Sequence, residues 1–396
     1  MKHQKNTTLI HHPYRAPAGF DAVPPGVFKA STVIFKDTAA MRSRNWKDRN
    51  SYTYGLNGTP TSMVLEERIA VLEGGLQTLL VPSGLAAIAV VDMALLKSGD
   101  EVLIPSNAYG PGKELAIHEL AGWGVTHRYF DAMNAQALND AISPATKLVW
   151  LEAAGSITME FPDLVGLVRV CKTRGVLSAI DNTWGAGIAF NAFDLGADGG
   201  SIGVDICMQA LTKFPSGGAD VLMGSITTRD QTLHLRLKGT HMRMGWGVGL
   251  NDVEFVLRGL PSIQVRYEAH DRAARALAQW WSQQSEVTQV LHPALPDSPG
   301  HAHWKAVCND QAAGLFSVVF DERFGAAQVD AFVDALQLFK IGFSWAGPMS
   351  LAVPYDIKAL RKDTSWRGTL VRFSLGLEAV EDLIVDCTQA LPALRR

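Results

Sequence analysis

Gln209-Ala210-Leu211-Thr212-Lys213-Phe214-Pro215-Ser216-Gly217-Gly218 sets one lysine between a threonine and an aromatic residue, just ahead of a Pro-Ser-Gly-Gly turn. Upstream, the apolar run Val176-Leu177-Ser178-Ala179-Ile180-Asp181-Asn182-Thr183-Trp184 meets an aspartate. Short apolar runs bounded by turn residues read as buried strands, so Asp181 is expected at a strand end. A lysine amine condenses with an aldehyde to form a Schiff base. A buried carboxylate can hold a pyridinium nitrogen in its charged form. These are the two groups that pyridoxal phosphate (PLP) chemistry asks of a protein, one at each end of the cofactor ring. Lysines near glycines and aspartates after strands are common, so the pair acquires meaning only from its surroundings.

Working outward, further short apolar runs lie at 78–81, 101–104, 127–130, 147–151 and 176–180, separated by stretches of helical spacing. One such stretch, 61–73, ends at Gly74-Gly75, and another, 85–96, opens after Pro82-Ser83-Gly84. Strands alternating with helices argue for an α/β fold with a mainly parallel sheet. The pattern divides the chain into an extended arm (1–60), an α/β domain (61–258), and a linking helix with a smaller C-terminal domain (259–396). The linking helix is expected to break near Pro261.

The 396 residues exceed one ordinary core. Charged residues make up 19%, below the ~25% usual for soluble proteins, which suggests extra buried surface such as a subunit interface. The net charge of −3 provides no basic field for nucleic acid. Cys171, Cys207, Cys308 and Cys387 lack CxxC spacing. A disulfide framework or metal site is therefore not expected, and reduced thiols suit a cytoplasmic protein. The N-terminus lacks a signal-peptide run, and the apolar segment 79–96 is interrupted by Pro82-Ser83-Gly84, so no membrane span is expected.

Several other residues fit the same chemistry. Ser83-Gly84-Leu85 forms a strand-to-helix turn, and the free N–H groups of a helix N-terminus bind phosphate. Thr212 offers a hydroxyl beside Lys213. Tyr109, in Ser106-Asn107-Ala108-Tyr109-Gly110-Pro111-Gly112, is an aromatic residue able to stack on a ring. Arg372 interrupts the apolar run Gly368-Thr369-Leu370-Val371-Arg372-Phe373-Ser374 and needs a partner. Either a substrate α-carboxylate or a structural carboxylate would meet that need.

These segments together resemble the Cys/Met-metabolism PLP-dependent family, the trans-sulfuration enzymes, and within it the bacterial cystathionine β-lyases. The similarity runs from about Tyr52 to Leu383. Its most specific blocks are Gly155-Ser156-Ile157-Thr158-Met159-Glu160, Asp181-Asn182-Thr183-Trp184, His292 to Pro296, Phe343-Ser344-Trp345 and Gly376-Leu377-Glu378. The resemblance implies the aspartate aminotransferase-like fold (fold type I), with a seven-stranded, mainly parallel sheet domain and an α+β C-terminal domain. It implies that Lys213 carries PLP and shuttles protons, that Asp181 pairs with the pyridinium, and that Tyr109 stacks on the ring. Ser83, Gly84, Leu85 and Thr212 would hold the phosphate. Tyr54 would reach the phosphate and lysine of a neighbouring subunit in a homotetramer. Arg372, Ser344 and Trp345 would bind the carboxylate of a small sulfur amino acid, and the reaction would be carbon–sulfur β-elimination.

The chain also departs from the family pattern. Leu56 stands where an arginine is usual two residues after Tyr54, with Lys47 and Arg49 as nearby cations. Ala210 replaces a hydroxyl residue found in some relatives. Ala346-Gly347-Pro348-Met349-Ser350 replaces Gly-Gly-x-Glu-Ser, losing a glutamate and gaining a proline where substrate side chains are selected. Residues 197–203 look like an insertion.

Overall fold

The computed structural model describes residues 4–14, 17–20, 22–48, 51–196, 202–361 and 366–395. Arg49 and most of the expected insertion, 197–201, lie outside them. Seven strands form the larger sheet: β1 (Gln77–Val81), β2 (Glu101–Pro105), β3 (Thr126–Phe130), β4 (Thr146–Glu152), β5 (Leu177–Asp181), β6 (Ile206–Ala210) and β7 (Gly224–Thr228). Their order is β1-β7-β6-β5-β4-β2-β3. Strands β6, β5, β4, β2 and β3 run parallel, while β7 is antiparallel to both of its neighbours. Helices cover both faces of a parallel sheet, which is why its strands read as continuous apolar runs.

Two of these strands were hidden in the sequence. The β6 segment Ile-Cys-Met-Gln-Ala is a short apolar run interrupted by Gln209, and the β7 segment Gly-Ser-Ile-Thr-Thr is mostly small and hydroxylic, yet both are buried. Most of their polar groups find partners inside the protein, though Gln209 Oε1 and Ser225 Oγ have none among the described residues. Gln209 Nε2 donates to Glu73 at 2.8 Å, and the Thr78 and Thr227 hydroxyls meet at 2.8 Å. A satisfied buried polar group costs little, so a strand can carry it.

Local signals set the helix that leads into the sheet. Pro60–Glu73 starts with a capping box between Thr59 and Ser62, has proline in its first turn, and stops at Gly74 in the left-handed region. The arm holds two short helices, Lys5–Ile10 and Thr38–Arg42, and no strand among its described residues. Leu9 of the first helix is buried, and Lys5 Nζ donates to the Gly187 carbonyl.

Helix Leu250–Gly259, a short turn Leu260–Ser262 containing Pro261, and helix Ile263–Trp281 lead into the second sheet. That sheet is fully antiparallel, ordered β10 (Leu351–Tyr355), β11 (Leu370–Ser374), β9 (Leu315–Phe320) and β8 (Val287–Leu291). Trp281 is fully buried, with its ring 5.6–5.7 Å from those of Phe320, Phe332 and Phe373. Its indole N–H has no hydrogen-bond partner among the described residues. Among the described residues, no helix is long and apolar enough to cross a membrane.

Removing this ring should leave a large cavity. Trp281→Ala is expected to cost about 3–5 kcal/mol. Trp281→Phe fills most of the space and removes an orphaned donor, so it should cost under about 2 kcal/mol. Denaturant midpoints of the three proteins check both values, and equal losses for the two variants would refute the packing account.

Candidate active site

Asp181 ends β5, and Lys213 follows β6, its parallel neighbour. The turn that aims the lysine is fixed by its own backbone, with Lys213 N–H donating to Ala210 O at 3.1 Å and Gly217 N–H to Lys213 O at 2.9 Å. Phe214 is driven into the core, 4.6 Å from the Tyr267 ring and 5.8 Å from that of Trp345. Gly217 has φ +69°, and a Cβ there would lie 2.1 Å from Arg266 Nη1, which itself donates to Phe214 O at 2.7 Å. Glycine is thus required by conformation and by close approach.

Asp181 is partly buried, and its Oδ1 accepts the Thr183 N–H at 2.9 Å and the Thr183 hydroxyl at 2.5 Å. The Thr183 oxygen in turn accepts the Ala210 N–H at 2.9 Å. Thr183 therefore ties the end of β6 to the carboxylate on β5, a role that sequence reasoning missed. Burial raises the Asp181 pKa, opposed by the two Thr183 bonds and by Lys213.

Lys213 Nζ donates to Ser344 Oγ at 2.5 Å and lies 5.2 Å from the centre of the Trp345 ring. Burial, with the charge of Arg372, brings its pKa down to about 8, and Asp181 opposes that shift. Arg372 projects from β11, only 9% exposed, with its guanidinium 5.5 Å from the Tyr355 ring centre. Its Nε is buried without a partner, and no described carboxylate forms an ion pair with it. The structural-carboxylate reading of Arg372 thus has no support in the geometry. A buried guanidinium whose Nε lacks a partner can receive a carboxylate.

Tyr109 caps helix Gly110–Leu115 after β2 and is 42% exposed. Burial raises its pKa, with Asp181 and Glu152 adding to the shift and Arg372 opposing it. Lys213, Asp181, Tyr109, Arg372, Ser344 and Trp345 thus surround one space. Glu152 also belongs there; it went unnoticed because a glutamate ending an apolar run looks like any polar terminus.

Ser83 caps helix Gly84–Leu95, its Oγ accepting Ala86 N–H at 3.0 Å. A Cβ on Gly84 would lie 2.8 Å from Ala210 Cβ. The missing side chain lets the helix N-terminus abut the strand that leads to Lys213. The Gly84 and Leu85 N–H groups form no hydrogen bond among the described residues, as a phosphate cradle requires. The Thr212 hydroxyl is held by the Met223 backbone, at 3.2 Å from its N and 3.3 Å from its O. Together the lysine, the partly buried carboxylate and the open helix end fit PLP. Tyr54 stands apart, 51% exposed, and forms no hydrogen bond with Lys213 among the described residues. Leu56 packs toward Gly247, while Lys47 is exposed beside Trp46.

Comparison with known proteins gives the same picture. Residues 6–392 match the family model described as Cys/Met metabolism PLP-dependent enzyme. A cystathionine beta-lyase of Bordetella avium is 35% identical over 394 residues, covering 97% of this chain and 96% of the relative. A cystathionine beta-lyase of Salmonella typhimurium is 34% identical, covering 97% of each chain. The solved cystathionine gamma synthase of Xanthomonas oryzae superposes with a TM-score of 0.89 at 27% identity, covering 100% of this chain and 99% of its own.

The depressed pKa of Lys213 makes a prediction for the cofactor-free protein. Folding below pH 8 must bury a charged ammonium. Between about pH 8 and the unfolded value of 10.5 the native state has lost that proton and the unfolded state has not, so the penalty is relieved as pH rises. Lys213→Met should therefore be more stable than the parent apo-protein at pH 7, with the gap closing toward pH 10.5. Urea melts across that range measure it, and a constant gap would show that Lys213 titrates normally.

Proposed function

We propose, since the chain belongs to the Cys/Met metabolism PLP-dependent enzyme family, that it is a carbon–sulfur β-lyase cleaving L-cystathionine to homocysteine, pyruvate and ammonia. The observation that supports an amino-acid substrate most directly is the buried, unpaired guanidinium of Arg372 beside Lys213. Lys213, Asp181, Tyr109, Ser83, Gly84, Leu85 and Thr212 would hold PLP, joined by Tyr54 from a neighbouring subunit. When bound, PLP supplies an electron sink for charge released at the substrate Cα.

The protein's own groups do the rest. Arg372 takes the α-carboxylate bidentately, with Ser344 and Trp345 bounding the same pocket. Lys213 Nζ, with a pKa near 8, is uncharged often enough at neutral pH to remove the Cα proton. It then holds that proton within reach of the departing sulfur, a delivery it shares with Tyr54. Asp181, bonded by Thr183, would hold the pyridine nitrogen of PLP in its protonated form and so would strengthen the electron sink that the cofactor supplies. Exposed apolar residues of the arm, Phe20, Val23, Phe28 and Ile34, suit a homotetramer, and the free, buried thiols suit a cytoplasmic setting.

The rival reading is another sulfur amino-acid reaction on the same cofactor, such as γ-elimination, γ-replacement or cysteine-S-conjugate cleavage. The fold of the γ-synthase relative keeps it open. Incubation with cystathionine, cystine and S-alkyl cysteines separates the readings. Pyruvate with homocysteine supports the β-lyase, 2-oxobutyrate supports γ-elimination, and no keto acid would remove the lyase reading.

Two substitutions test the assigned roles. Lys213→Ala should abolish turnover and the visible absorbance of lysine-bound PLP. Asp181→Asn should fold and bind PLP but lose at least about a hundredfold in kcat; a loss under about tenfold, ~1.4 kcal/mol in barrier, would remove Asp181 from its role.

A further inference from the structure

Glu152 ends β4 and lies opposite Asp181 in the parallel register, so two partly buried carboxyl groups stand side by side at neighbouring strand ends. Its Oε2 accepts the backbone N–H of Tyr109 at 2.7 Å. Tyr109 stands at the N-cap of helix Gly110–Leu115 without a capping bond from its side chain, and its carbonyl accepts Gly112 N–H at 3.1 Å. A cavity lined by Asp92, Ala108, Tyr109, Trp150, Glu152 and Asp181 lies beneath the turn. The turn is also tied at Ser106, whose N–H donates to Phe130 O at 2.9 Å, and at Asn107, whose carbonyl accepts Ser156 N–H at 2.8 Å; the Glu152 bond ties the Tyr109 backbone itself to the end of β4.

The groups facing Glu152 decide which carboxyl carries the charge. Asp181 on β5 has two Thr183 donors and the Lys213 ammonium nearby. Glu152 has backbone donors from Tyr109 and Ser156, with Lys113 on the helix after Tyr109 as its cation. Asp92, across the cavity, brings no positive charge and is bonded to Trp150 Nε1 at 2.8 Å. Two adjacent carboxyls out of water do not both ionise cheaply. Burial and the neighbouring Asp181 push the Glu152 pKa well above its usual range.

We propose that Glu152 is a positioning residue that, as an uncharged carboxylic acid, holds the Tyr109 turn over the cofactor ring and leaves the site's negative charge to Asp181. This rests on the placement of Tyr109 and Asp181 against PLP given above. Its consequence is that an amide can replace the acid, because the carbonyl oxygen still accepts from Tyr109 N–H and no charge is lost.

The test uses the holoenzyme and three substitutions. The readouts are visible circular dichroism of bound PLP, PLP affinity by titration of the apo-protein, and the pH profile of kcat/KM. Glu152→Gln should keep the parent's ellipticity and pH profile, with kcat/KM within about threefold. Glu152→Ala should lose most of the ellipticity and about tenfold or more in kcat/KM, in line with losing a bond that orders a buried turn. A Gln variant that falls as far as the Ala variant would overturn the neutral role. An Ala variant that keeps both ellipticity and rate would overturn positioning. If Glu152→Ala does not fold, the Gln variant decides alone by retention or loss. Tyr109→Ala is the control: unchanged ellipticity there would sink the placement of Tyr109 instead.

Discussion

The ends of β5 and β6 hold a carboxylate and an ammonium largely out of water, and the cost of that burial organises what surrounds them. An ion at such a depth must be bonded or paired. Asp181 meets the demand through Thr183, which also receives the Ala210 N–H and so fixes one strand end to the other. Behind it, Glu73 is fully buried and accepts Asn182 Nδ2 and Gln209 Nε2 at 2.8 Å and the Cys207 thiol at 3.3 Å. Burial lifts its pKa to about 7, and Lys5 from the N-terminal helix opposes that shift. The arm thus supplies a cation to the network that braces the strands bearing Asp181 and Lys213.

The second constraint is that the site is shared between the two sheets' structures. Lys213 and Asp181 come from the larger one. Ser344 and Trp345 lie just before β10, and Arg372 is on β11. Ser344 meets Lys213 from a left-handed backbone, φ +92°, and Ala346 follows at +63°. Non-glycine residues held there cost roughly 1–3 kcal/mol each, a strain typical of functional loops. Two further ties hold the structures together, Arg361 to Glu160 and the Ser317 hydroxyl to Ile157 O at 2.5 Å. The reach of Ser344 to the lysine is therefore set by tertiary docking.

Much of this was legible from sequence because the chemistry is local. The lysine before a glycine turn, the aspartate at a strand end and the glycine opening a helix each carry their reason within a few residues. The orphaned arginine on β11 was suspect for the same reason: an apolar strand cannot satisfy a guanidinium. What escaped depends on partners distant in sequence. Strands β6 and β7 were hidden because Gln209 and Thr227 interrupt their apolar pattern and find their partners, Glu73 and Thr78, far upstream. Thr183 and Glu152 look like ordinary strand-end residues until the parallel register sets them against Ala210, Asp181 and Tyr109. Tyr54 could be assigned only through resemblance, since one chain alone leaves it half exposed.

The shared machinery does not by itself choose among substrates. A base, an electron-sink anchor and a carboxylate socket serve any amino acid whose Cα proton is to be removed. Choice must come from groups that meet the substrate side chain, and here the segment between Trp345 and β10 is distinctive. It is pinned at its far end, where Ser350 N–H donates to Glu378 at 2.7 Å, Ser350 Oγ donates to the same carboxylate at 2.8 Å, and Gly376 N–H donates to Ser350 Oγ at 2.8 Å. At its near end Trp345 packs on Phe214. Between these fixed points Pro348 restricts the backbone, and Met349 is exposed where many relatives place a glutamate. An exchange of carboxylate for thioether at a position held between fixed points would alter which side chains the site favours while leaving the Cα chemistry untouched. On the proposed reading, substrate selection and bond cleavage would then be carried by separable parts of the chain, as expected where function resides in sites grafted on a shared fold.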